Sequence, residues 1–301
     1  MREYIEHIEL LKKKRNAIIF AHNYQPPEIQ DVADFIGDSL DLSRKAMQID
    51  AEVIVFCGVY FMAETANILS PEKIILLPDI YAGCQLADTI TVEALREKKK
   101  EYPDAAVVCY VNSPAAVKAE SDVCCTSANA LAVVNSVRDF KKIIFVPDKN
   151  LGSYVASKTN KEITLWDGCC PAHNDITPEQ VEKLKEGHPH AVFIAHPECR
   201  PSVLALADEI LGTSGMLKFA KKTSADEVIV GTEVGMVYRL QKENPEKKFI
   251  EIKGAICKDM KVITLDKVEK SLKDLEPRVV VSEEIRVKAA RAVNKMIEIS
   301  G

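Results

Sequence analysis

The chain has 301 residues, of which 47% are hydrophobic and 28% are charged, and its formal net charge is −5. This composition is typical of a soluble globular protein, and the absence of a long basic run argues against nucleic-acid binding. The N-terminal segment is too charged for a secretory signal, and no apolar run has membrane-spanning length, so we expect a cytoplasmic protein without a membrane partner. The nine cysteines are odd in number, and a reducing compartment disfavours their pairing.

Three similar segments recur along the chain at an almost constant spacing. "NAIIFAHNY", "AAVVCYVNS" and "HAVFIAHPE" are each an apolar run that ends in polar residues, which is typical of a buried parallel strand. His22, Tyr110 and His196 take equivalent places in these segments, with separations of 88 and 86 positions. Because ligands bind at strand ends in α/β proteins, these three residues are candidates for a functional site.

The same spacing persists in the segments that follow. "ADFIGDS", "SDVCCTS" and "ADEILGTS" place Ser39, Ser127 and Ser214 at separations of 88 and 87 positions. Two further strands per unit are predicted, at "VIVFCG", "KIIFVPD" and "EVIVGTE", and then at "KIILLPD", "EITLWDG" and "FIEIKGA". A helix rich in Glu and Lys follows each last strand, and each has a threonine suited to the N-cap position: Thr91, Thr177 and Thr264.

These repeats predict an α/β protein. Each unit of about 87 residues holds four strands alternating with helices, which implies a parallel four-stranded sheet covered on both faces. The long period favours three similar three-layer αβα domains around a pseudo-threefold axis over a linear stack, because solenoid repeats are usually shorter. We expect domains at residues 1–86, 87–172 and 173–301. The last includes a C-terminal strand and helix that pack back on the first repeat.

Three of the nine cysteines keep the spacing of the repeats. Cys84, Cys170 and Cys257 follow the fourth predicted strand of each unit, with separations of 86 and 87 positions. Equivalent loops of a threefold arrangement can converge on the axis, so three thiolates would meet there. Zinc and iron–sulfur clusters are both held by thiolates, and the composition does not choose between them. Three ordinary loop cysteines are the alternative interpretation.

Polar groups at the strand ends could face the same centre. They come from all three units: His22, Asn23, Tyr24, Tyr110, Asn112, His196 and Glu198. Histidine and glutamate transfer protons near neutral pH when their pKa values are tuned, tyrosine donates to an oxyanion, and asparagine holds carboxylate or carbonyl oxygens. An ordinary hydrogen-bonded residue at a strand end is the alternative interpretation for each of them taken singly.

Hydroxyl groups form a second set of candidates. Ser39, Ser127 and Thr213 lie near the start of helical patterns, and a helix N-terminus attracts phosphate or carboxylate. Simple N-capping is the alternative interpretation. Neither a GxGxxG nor a GxxxxGK[ST] motif is present, so nothing indicates a dinucleotide or a nucleoside triphosphate.

At these residues the sequence resembles the quinolinate synthase family of de novo NAD biosynthesis. The resemblance covers essentially the whole chain and is carried by "AHNYQPPEIQDVADFIGDSL", "DVCCTSANA", "PDKNLG", "GCCPAH", "AHPEC", "GTSGM", "GTEVGM" and "CKDMKVITL". It implies three αβα domains around a pseudo-threefold axis, with a [4Fe–4S] cluster held by Cys84, Cys170 and Cys257. Cys169 also fits the spacing within one residue, but the family pattern places the ligand directly before a proline, here Pro171.

The resemblance also implies an activity, the condensation of iminoaspartate with dihydroxyacetone phosphate to quinolinate with loss of phosphate and two waters. The open iron would act as a Lewis acid. The implied partners are these small molecules, together with functional coupling to the enzyme that produces iminoaspartate. The implied catalytic residues are His22, Tyr24, Tyr110, His196 and Glu198. The implied substrate-binding residues are His22, Ser39, Tyr110, Asn112, Ser127, His196, Glu198 and Thr213.

Two other functions compete with this interpretation. A different open-cluster hydro-lyase would dehydrate a hydroxy acid without dihydroxyacetone phosphate. A sensor that carries zinc or a cluster would use the thiolates only to hold three domains together. Quinolinate formation from both substrates excludes the first, and metal analysis with absorbance spectroscopy separates zinc from a cluster.

Overall fold

A computed structural model describes residues 2–299, which contain three separate parallel sheets, each flanked by helices. The strands of the first sheet are β1 (Ala17–His22), β2 (Phe35–Gly37), β3 (Val53–Cys57) and β4 (Ile74–Leu76). The helices of this part of the chain are α1 (Arg2–Arg15), α2 (Pro27–Val32), α3 (Ser39–Gln48) and α4 (Tyr60–Leu69). The α/β class and the threefold repetition predicted from the sequence are confirmed.

The second and third sheets repeat this plan. The second part contains α5 (Val92–Glu101), β5 (Ala105–Tyr110), α6 (Ala115–Ala119), β6 (Val123–Cys125), α7 (Ala130–Ser136), β7 (Lys142–Val146), α8 (Lys149–Ala156) and β8 (Glu162–Leu165). The third contains α9 (Pro171–Asn174), α10 (Pro178–Gly187), β9 (Val192–Ala195), α11 (Pro201–Leu204), β10 (Glu209–Ile210), α12 (Thr213–Lys222), β11 (Glu227–Gly231), α13 (Gly235–Glu243) and β12 (Lys248–Glu251). The chain continues with α14 (Leu265–Asp274) and α15 (Glu283–Ile299).

All three sheets share one strand order, in which the first strand of the unit lies between the second and the third. The orders are β2-β1-β3-β4, β6-β5-β7-β8 and β10-β9-β11-β12, and every ladder is parallel. The direction of the connections reverses beside the first strand of each unit. Ligands of open α/β sheets bind in the crevice at such a reversal, beyond the carboxyl ends of the strands. The topology therefore selects the ends of β1, β5 and β9.

The central strands are apolar along their whole length because helices cover both faces of each sheet. All five residues of β3 are buried, and so are the last five of β5. Most of the buried apolar side chains belong to one continuous core, which includes Phe20 in the first sheet and Phe145 in the second. A shared core of this kind fixes the sheets relative to one another, as a site between them requires.

The predicted N-cap threonines all precede helices, although they do not all cap in the same way. Thr91 accepts a hydrogen bond from the backbone N–H of Ala94 at 3.2 Å, and Thr177 forms a reciprocal capping box with Gln180. The hydroxyl of Thr264 instead bonds to the carboxylate of Asp266, so it holds the N-cap position without a capping hydrogen bond.

The C-terminal segment packs on two repeats. Val279 donates its N–H to the carbonyl of Ile75, and a single antiparallel bridge joins Leu76 to Arg278, so residues 277–279 lie along the edge of the first sheet. Helix α15 lies mainly against α6 and β6 of the second unit and also contacts α4 of the first. Small residues such as Ala115 in α6 and Ala289 in α15 allow this close approach.

From the sequence, the C-terminal strand and helix of the third domain are expected to pack back on the first repeat; α15 contacts α4 of that repeat and also packs on the second. The boundaries 1–86, 87–172 and 173–301 stay predictions. Within residues 2–299, every helix is too short or too polar to cross a membrane.

Candidate active site

The predicted site residues meet in one pocket beyond the carboxyl ends of the three sheets. Strands β1, β5 and β9 each direct their last or following residues into it. Twelve side chains proposed from the sequence line this pocket: His22, Tyr24, Ser39, Cys84, Tyr110, Asn112, Ser127, Cys170, His196, Glu198, Thr213 and Cys257. The structure thus brings all of them together, while the role of each stays a prediction.

Cys84, Cys170 and Cys257 enter the pocket from the loop after the last strand of each sheet. All three are free and partly exposed, and they also line a second opening behind the pocket. Burial raises the pKa of each thiol, and that of Cys257 rises to about 11. The charges of Glu198 and of neighbouring thiolates raise the pKa of Cys84 and Cys170 further. Thiolates that line one pocket repel one another when ionised, so a bound cationic group would stabilise them.

Cys169 has a different environment from its neighbour Cys170. It is partly exposed and lies near Lys149 and Asp175, outside the set of residues that line the pocket. The position of Cys170 in the pocket agrees with the choice that the repeat spacing and Pro171 favoured.

Two buried acidic side chains hold the loops that carry Cys170 in the second repeat and Cys257 in the third, here called the thiol loops. Asp148, two residues after β7, accepts the N–H of Cys170 at 3.1 Å and that of Leu151 at 2.7 Å. Glu233, two residues after β11, accepts the N–H of Cys257 at 3.2 Å and that of Gly235 at 2.7 Å. Each carboxylate therefore ties a thiol loop to the first turn of the neighbouring helix.

Gly168 lets the loop of the second repeat pass close to β7. A Cβ atom at this position would lie 2.4 Å from the carbonyl oxygen of Pro147 and 2.4 Å from the hydroxyl oxygen of Thr89. The hydrogen bond from the N–H of Lys149 to the Gly168 carbonyl, 2.8 Å long, closes the contact. Only glycine allows the backbone to pass this close. Gly168 therefore fixes where the segment that carries Cys170 begins.

Glu198 is the centre of a buried polar cluster. Its Oε2 atom lies 2.6 Å from Nδ1 of His173, whose ring stacks on that of His196 with centroids 4.4 Å apart. Burial raises the pKa of Glu198, but the contacts with His173 and His196 outweigh it and lower the pKa to about 2. Glu198 is therefore ionised at neutral pH. Its Oε1 atom is buried with no hydrogen-bond partner among the described residues.

His22 and His196 are neutral side chains held in the same way. The Nδ1 atom of each ring accepts the backbone N–H two residues further on, from Tyr24 at 3.2 Å and from Glu198 at 3.3 Å. Burial is the main cause that lowers the pKa of both imidazoles, to about 3. With Nδ1 acting as acceptor, the proton of each neutral ring lies on Nε2, the atom left to donate to a ligand.

Tyr24, Thr232 and His173 form a triangle of hydrogen bonds on one wall of the pocket. The Tyr24 hydroxyl lies 2.7 Å from that of Thr232 and 3.3 Å from Nε2 of His173, and the latter two atoms are 2.8 Å apart. Burial, followed by the charge of Glu198, raises the pKa of Tyr24 and also that of Tyr110. Both phenols are therefore protonated donors at neutral pH.

The hydroxyl candidates line the pocket without capping helices. Asp38 caps α3 through the N–H groups of Leu40 and Asp41, so Ser39 is its first residue and not its cap. Thr213 likewise begins α12, after Gly212. Ser127 precedes the first residue of α7 by three positions, and Asn129 holds the cap position. The hydroxyls of Ser39, Ser127 and Thr213 therefore do not take the capping role that was their alternative interpretation.

Several functional candidates were not predicted from the sequence. His173 lines the pocket, and Thr232 supports it through a hydrogen bond to His173. Asp148 and Glu233 hold the loops that carry Cys170 and Cys257. His173 lies inside the motif "GCCPAH", three residues after Cys170, and that proximity to a thiol was the signal available. Repeat comparison could not find it, because its equivalents at the same spacing are Ala87 and Met260.

A pocket that gathers an ionised carboxylate, neutral imidazoles, protonated phenols and three thiols at strand ends defines the class of this protein. Buried titratable groups with strongly shifted pKa values cluster at catalytic sites, and this cluster lies where α/β sheets bind their ligands. We therefore assign the chain to the α/β enzymes, with an acid–base site built by three repeats.

Comparison with known proteins supports a narrower assignment. The profile of the quinolinate synthetase A protein family (NadA) matches residues 6–298. The quinolinate synthase of Dehalococcoides mccartyi strain CBDB1 is 56% identical over 300 residues, 99% of each chain. That of Desulforudis audaxviator strain MP104C is 52% identical over 296 residues, 98% of each chain. That of Methanosarcina barkeri strain Fusaro is 53% identical over 298 residues, 99% of this chain and 98% of the relative.

The chain belongs to the quinolinate synthase family and is an enzyme of NAD biosynthesis. The resemblance noted in the sequence motifs is confirmed. The match extends through all three sheets and the C-terminal helix, so no repeat is foreign to the family.

Proposed function

We propose that the chain condenses iminoaspartate with dihydroxyacetone phosphate to give quinolinate, phosphate and two molecules of water. The observation that carries this proposal is the single pocket that receives thiol, hydroxyl and acid–base side chains from all three repeats. The reaction needs two acidic substrates to be bound, protons to be moved and hydroxyl groups to leave. The pocket holds side chains suited to each of these tasks.

The N-terminus of α12 suits the binding of a phosphate or carboxylate. Helix α12 has ten residues, and Gly212 at its cap position provides no side-chain capping bond, so the first N–H groups remain available to a ligand. Thr213 and Ser127 add hydroxyls on the same side of the pocket, beside Gly212. Helix α3 is less available, because Asp38 already accepts two of its first N–H groups.

The acid–base groups divide into one anion and several neutral donors. Glu198 is ionised at neutral pH and is the group in this cluster best placed to accept a proton from a substrate carbon or nitrogen. His22 and His196 donate from Nε2 to a carbonyl or hydroxyl oxygen, and Tyr24 serves the same chemistry from its protonated phenol. Tyr110 and Asn112 orient substrate carboxylates, and the Oδ1 atom of Asn112 is buried and unpartnered among residues 2–299.

The three thiols fit a [4Fe–4S] cluster. They are unpaired, come one from each repeat and repel one another when ionised. Backbone N–H groups point at two of the sulfur atoms, from Leu86 and Ala87 to Cys84 and from Asp259 and Met260 to Cys257, which stabilises thiolates. When bound by three protein ligands, such a cluster supplies an iron that can act as a Lewis acid on a hydroxyl or carboxylate.

A single metal ion is the competing occupant. The ligand atoms of Cys170, His173 and Glu198 all lie within 4.8 Å of one another, a mixed set of the kind that zinc accepts. However, the Nδ1 atom of His173 is already engaged by Glu198 at 2.6 Å, and this set leaves Cys84 and Cys257 without a partner. The cluster satisfies all three thiols, so we prefer it.

The cellular setting follows from the same proposal. Iminoaspartate is an unstable imine, so we propose functional coupling to the enzyme that produces it. We also propose a cytoplasmic location, which rests on the composition and the unpaired cysteines.

An anaerobic turnover assay tests the proposed function. Protein purified without oxygen is mixed with dihydroxyacetone phosphate and with iminoaspartate generated in place from oxaloacetate and ammonia. We expect quinolinate and phosphate in equal amounts, and neither product when dihydroxyacetone phosphate is left out. Dehydration of a hydroxy acid in the absence of dihydroxyacetone phosphate would favour the hydro-lyase alternative, and a failure to form quinolinate under any of these conditions would contradict the proposal.

A further inference from the structure

Asn23 lies between two pocket residues, yet its own side chain points across an interface between repeats. It is fully buried, and all its polar groups have partners. Its backbone N–H donates to Gly37 at 3.2 Å, and its carbonyl accepts from the side chain of Gln30 at 3.2 Å. Its side-chain amide connects Arg239 of α13 to Thr213 of α12.

The orientation of the Asn23 amide follows from the chemistry of arginine. Nη1 of Arg239 lies 2.6 Å from Oδ1 of Asn23 and donates a second hydrogen bond to the carbonyl of Ile36 at 2.9 Å. A guanidinium has donors only, so the amide oxygen must face it. Glu243 holds the guanidinium in place by accepting from Nε at 2.7 Å. The NH2 group of Asn23 is thereby forced to face Thr213.

This arrangement determines what the Thr213 hydroxyl can do. Nδ2 of Asn23 donates to Oγ1 of Thr213 at 2.9 Å, so the hydroxyl acts as an acceptor on that side. The proton of a hydroxyl cannot point towards the donor from which its oxygen accepts. Among the described residues, no second partner is found for the Thr213 hydroxyl. Thr213 lines the pocket, so its O–H is left to donate to a ligand there.

We propose that Arg239 and Asn23 are positioning residues that orient the Thr213 hydroxyl so that it donates a hydrogen bond to a substrate oxyanion. The inference rests on the proposed function, since the oxyanion is either the phosphate of one substrate or a carboxylate of the other. Free hydroxyls rotate and can accept as well as donate. A hydroxyl whose acceptor side is already taken binds an anion without first reorienting, which is the benefit of pre-organisation.

The isosteric variant Asn23→Asp tests the inference. The new carboxylate still accepts from Arg239, so the interface keeps this hydrogen bond and its shape. Its second oxygen accepts the Thr213 proton, so the hydroxyl no longer donates to the ligand. We expect the KM for one substrate to rise about tenfold or more, the effect of losing a hydrogen bond to a charged group, with a smaller change in kcat. A rise for dihydroxyacetone phosphate identifies the oxyanion as the phosphate, and a rise for iminoaspartate identifies a carboxylate.

The new negative charge could weaken anion binding without acting through Thr213, and a second variant separates the two causes. In the Thr213→Val background there is no hydroxyl to redirect, so Asn23→Asp should change the KM less than twofold. If it raises the KM as much there as in the wild-type background, the inference is wrong.

Arg239 provides a test outside the pocket. Arg239→Met removes the donor that orients the amide and should raise the same KM severalfold. Its matched control is Tyr238→Phe, which removes hydrogen bonds to Asp31 across the same interface without touching Asn23. Equal effects of the two variants would mean that a loosened interface explains the change, and the inference would be overturned.

Titration with inorganic phosphate separates this inference from the proposed function. Wild-type protein that forms no quinolinate would contradict the proposed function, whatever these variants do. Wild-type turnover with an unchanged KM for both substrates and unchanged phosphate binding in Asn23→Asp would contradict only the positioning role. Thermal unfolding of each variant within a few degrees of wild type confirms that the fold is intact.

Discussion

The cysteines of the pocket recur in every repeat, whereas the residues that hold their loops differ from repeat to repeat. Every repeat presents a cysteine to the pocket, whereas the position two residues after the third strand holds Val59, Asp148 or Glu233. In the second and third repeats the carboxylate bridges the thiol loop and the helix. In the first repeat the N–H of Tyr60 in α4 donates directly to the carbonyl of Ala82 at 2.7 Å, so no side chain is needed.

The comparison indicates which features of a repeated fold a shared ligand constrains and which it leaves free. In the proposed function one ligand meets the same chemical group from each repeat, which accounts for the recurring cysteine. Each loop, by contrast, only has to be held, and a backbone carbonyl or a carboxylate serves equally well. The chemistry is therefore repeated while its support is not, and the following predictions test that division.

The largest effect is expected from the thiols themselves. Cys84→Ala leaves two thiols at the pocket, and we expect loss of bound iron and a fall in turnover of about a hundredfold or more, since a Lewis acid contributes several kcal/mol. Cys169→Ala is the matched control, because Cys169 lies outside the pocket, and it should retain both iron and activity. The reverse pattern would mean that the ligand set is wrongly assigned.

Glu198 should come next in size. Its equivalents in the other repeats are Tyr24 and Asn112, so neither of those repeats supplies a carboxylate at this position. Glu198→Gln removes the ionised acceptor and should lower kcat by about 10²- to 10⁴-fold, the usual range for a general acid or base. The measurement is single-turnover quinolinate formation with iron content determined in the same sample. Full kcat at full iron content would remove Glu198 from the proton transfers.

The supports are expected to act on stability. Asp148→Asn places an NH2 group against the N–H of Cys170 or Leu151, and the lost hydrogen bond should lower the free energy of unfolding by about 1–3 kcal/mol. Asp167→Asn, an exposed position, is the control and should stay within about 0.5 kcal/mol of wild type. Urea denaturation measures both. Equal stability of Asp148→Asn and wild type would mean that the carboxylate does not hold the loop.

The effect with the smallest consequence at neutral pH is a dependence of stability on pH. The pKa of His22 falls to about 3 in the folded protein, against 6.5 for the free side chain, so the folded state disfavours its protonation. The free energy of unfolding should therefore fall as the pH drops from 6.5 towards 3, by up to about 1.4 kcal/mol per pH unit. His22→Gln should flatten this slope between pH 7 and 5, and exposed His190→Gln should not. Parallel profiles for all three proteins would contradict burial as the cause.

Repetition explains why so much of the site could be predicted from the sequence. The apolar strands and the recurring His22, Tyr110 and His196 indicated both the sheets and the edge at which ligands bind. The cysteines were found because one spacing relates all three. Twelve of the proposed residues line the pocket, because the strand order places the reversal point of each sheet beside its first strand.

Two of the residues that were not predicted from the sequence, His173 and Thr232, have no counterpart in the other repeats. Thr232 corresponds to Gly58 and Pro147, and its role depends on meeting Tyr24 from another sheet. Asn23 was proposed as a pocket group, yet its amide faces Arg239 and Thr213 across an interface. Contacts between sheets leave no periodic signal in the chain, so only the three-dimensional structure provides them.

The central claim is that three thiols, one from each repeat, jointly hold an iron–sulfur cluster at this pocket. Iron, zinc and acid-labile sulfide measured in anaerobically purified protein test it most directly, with Cys84→Ala beside the wild type. We expect about four irons and four sulfides per wild-type chain and a marked loss of both in the variant. One zinc per chain without sulfide, or an undiminished cluster in Cys84→Ala, would contradict it.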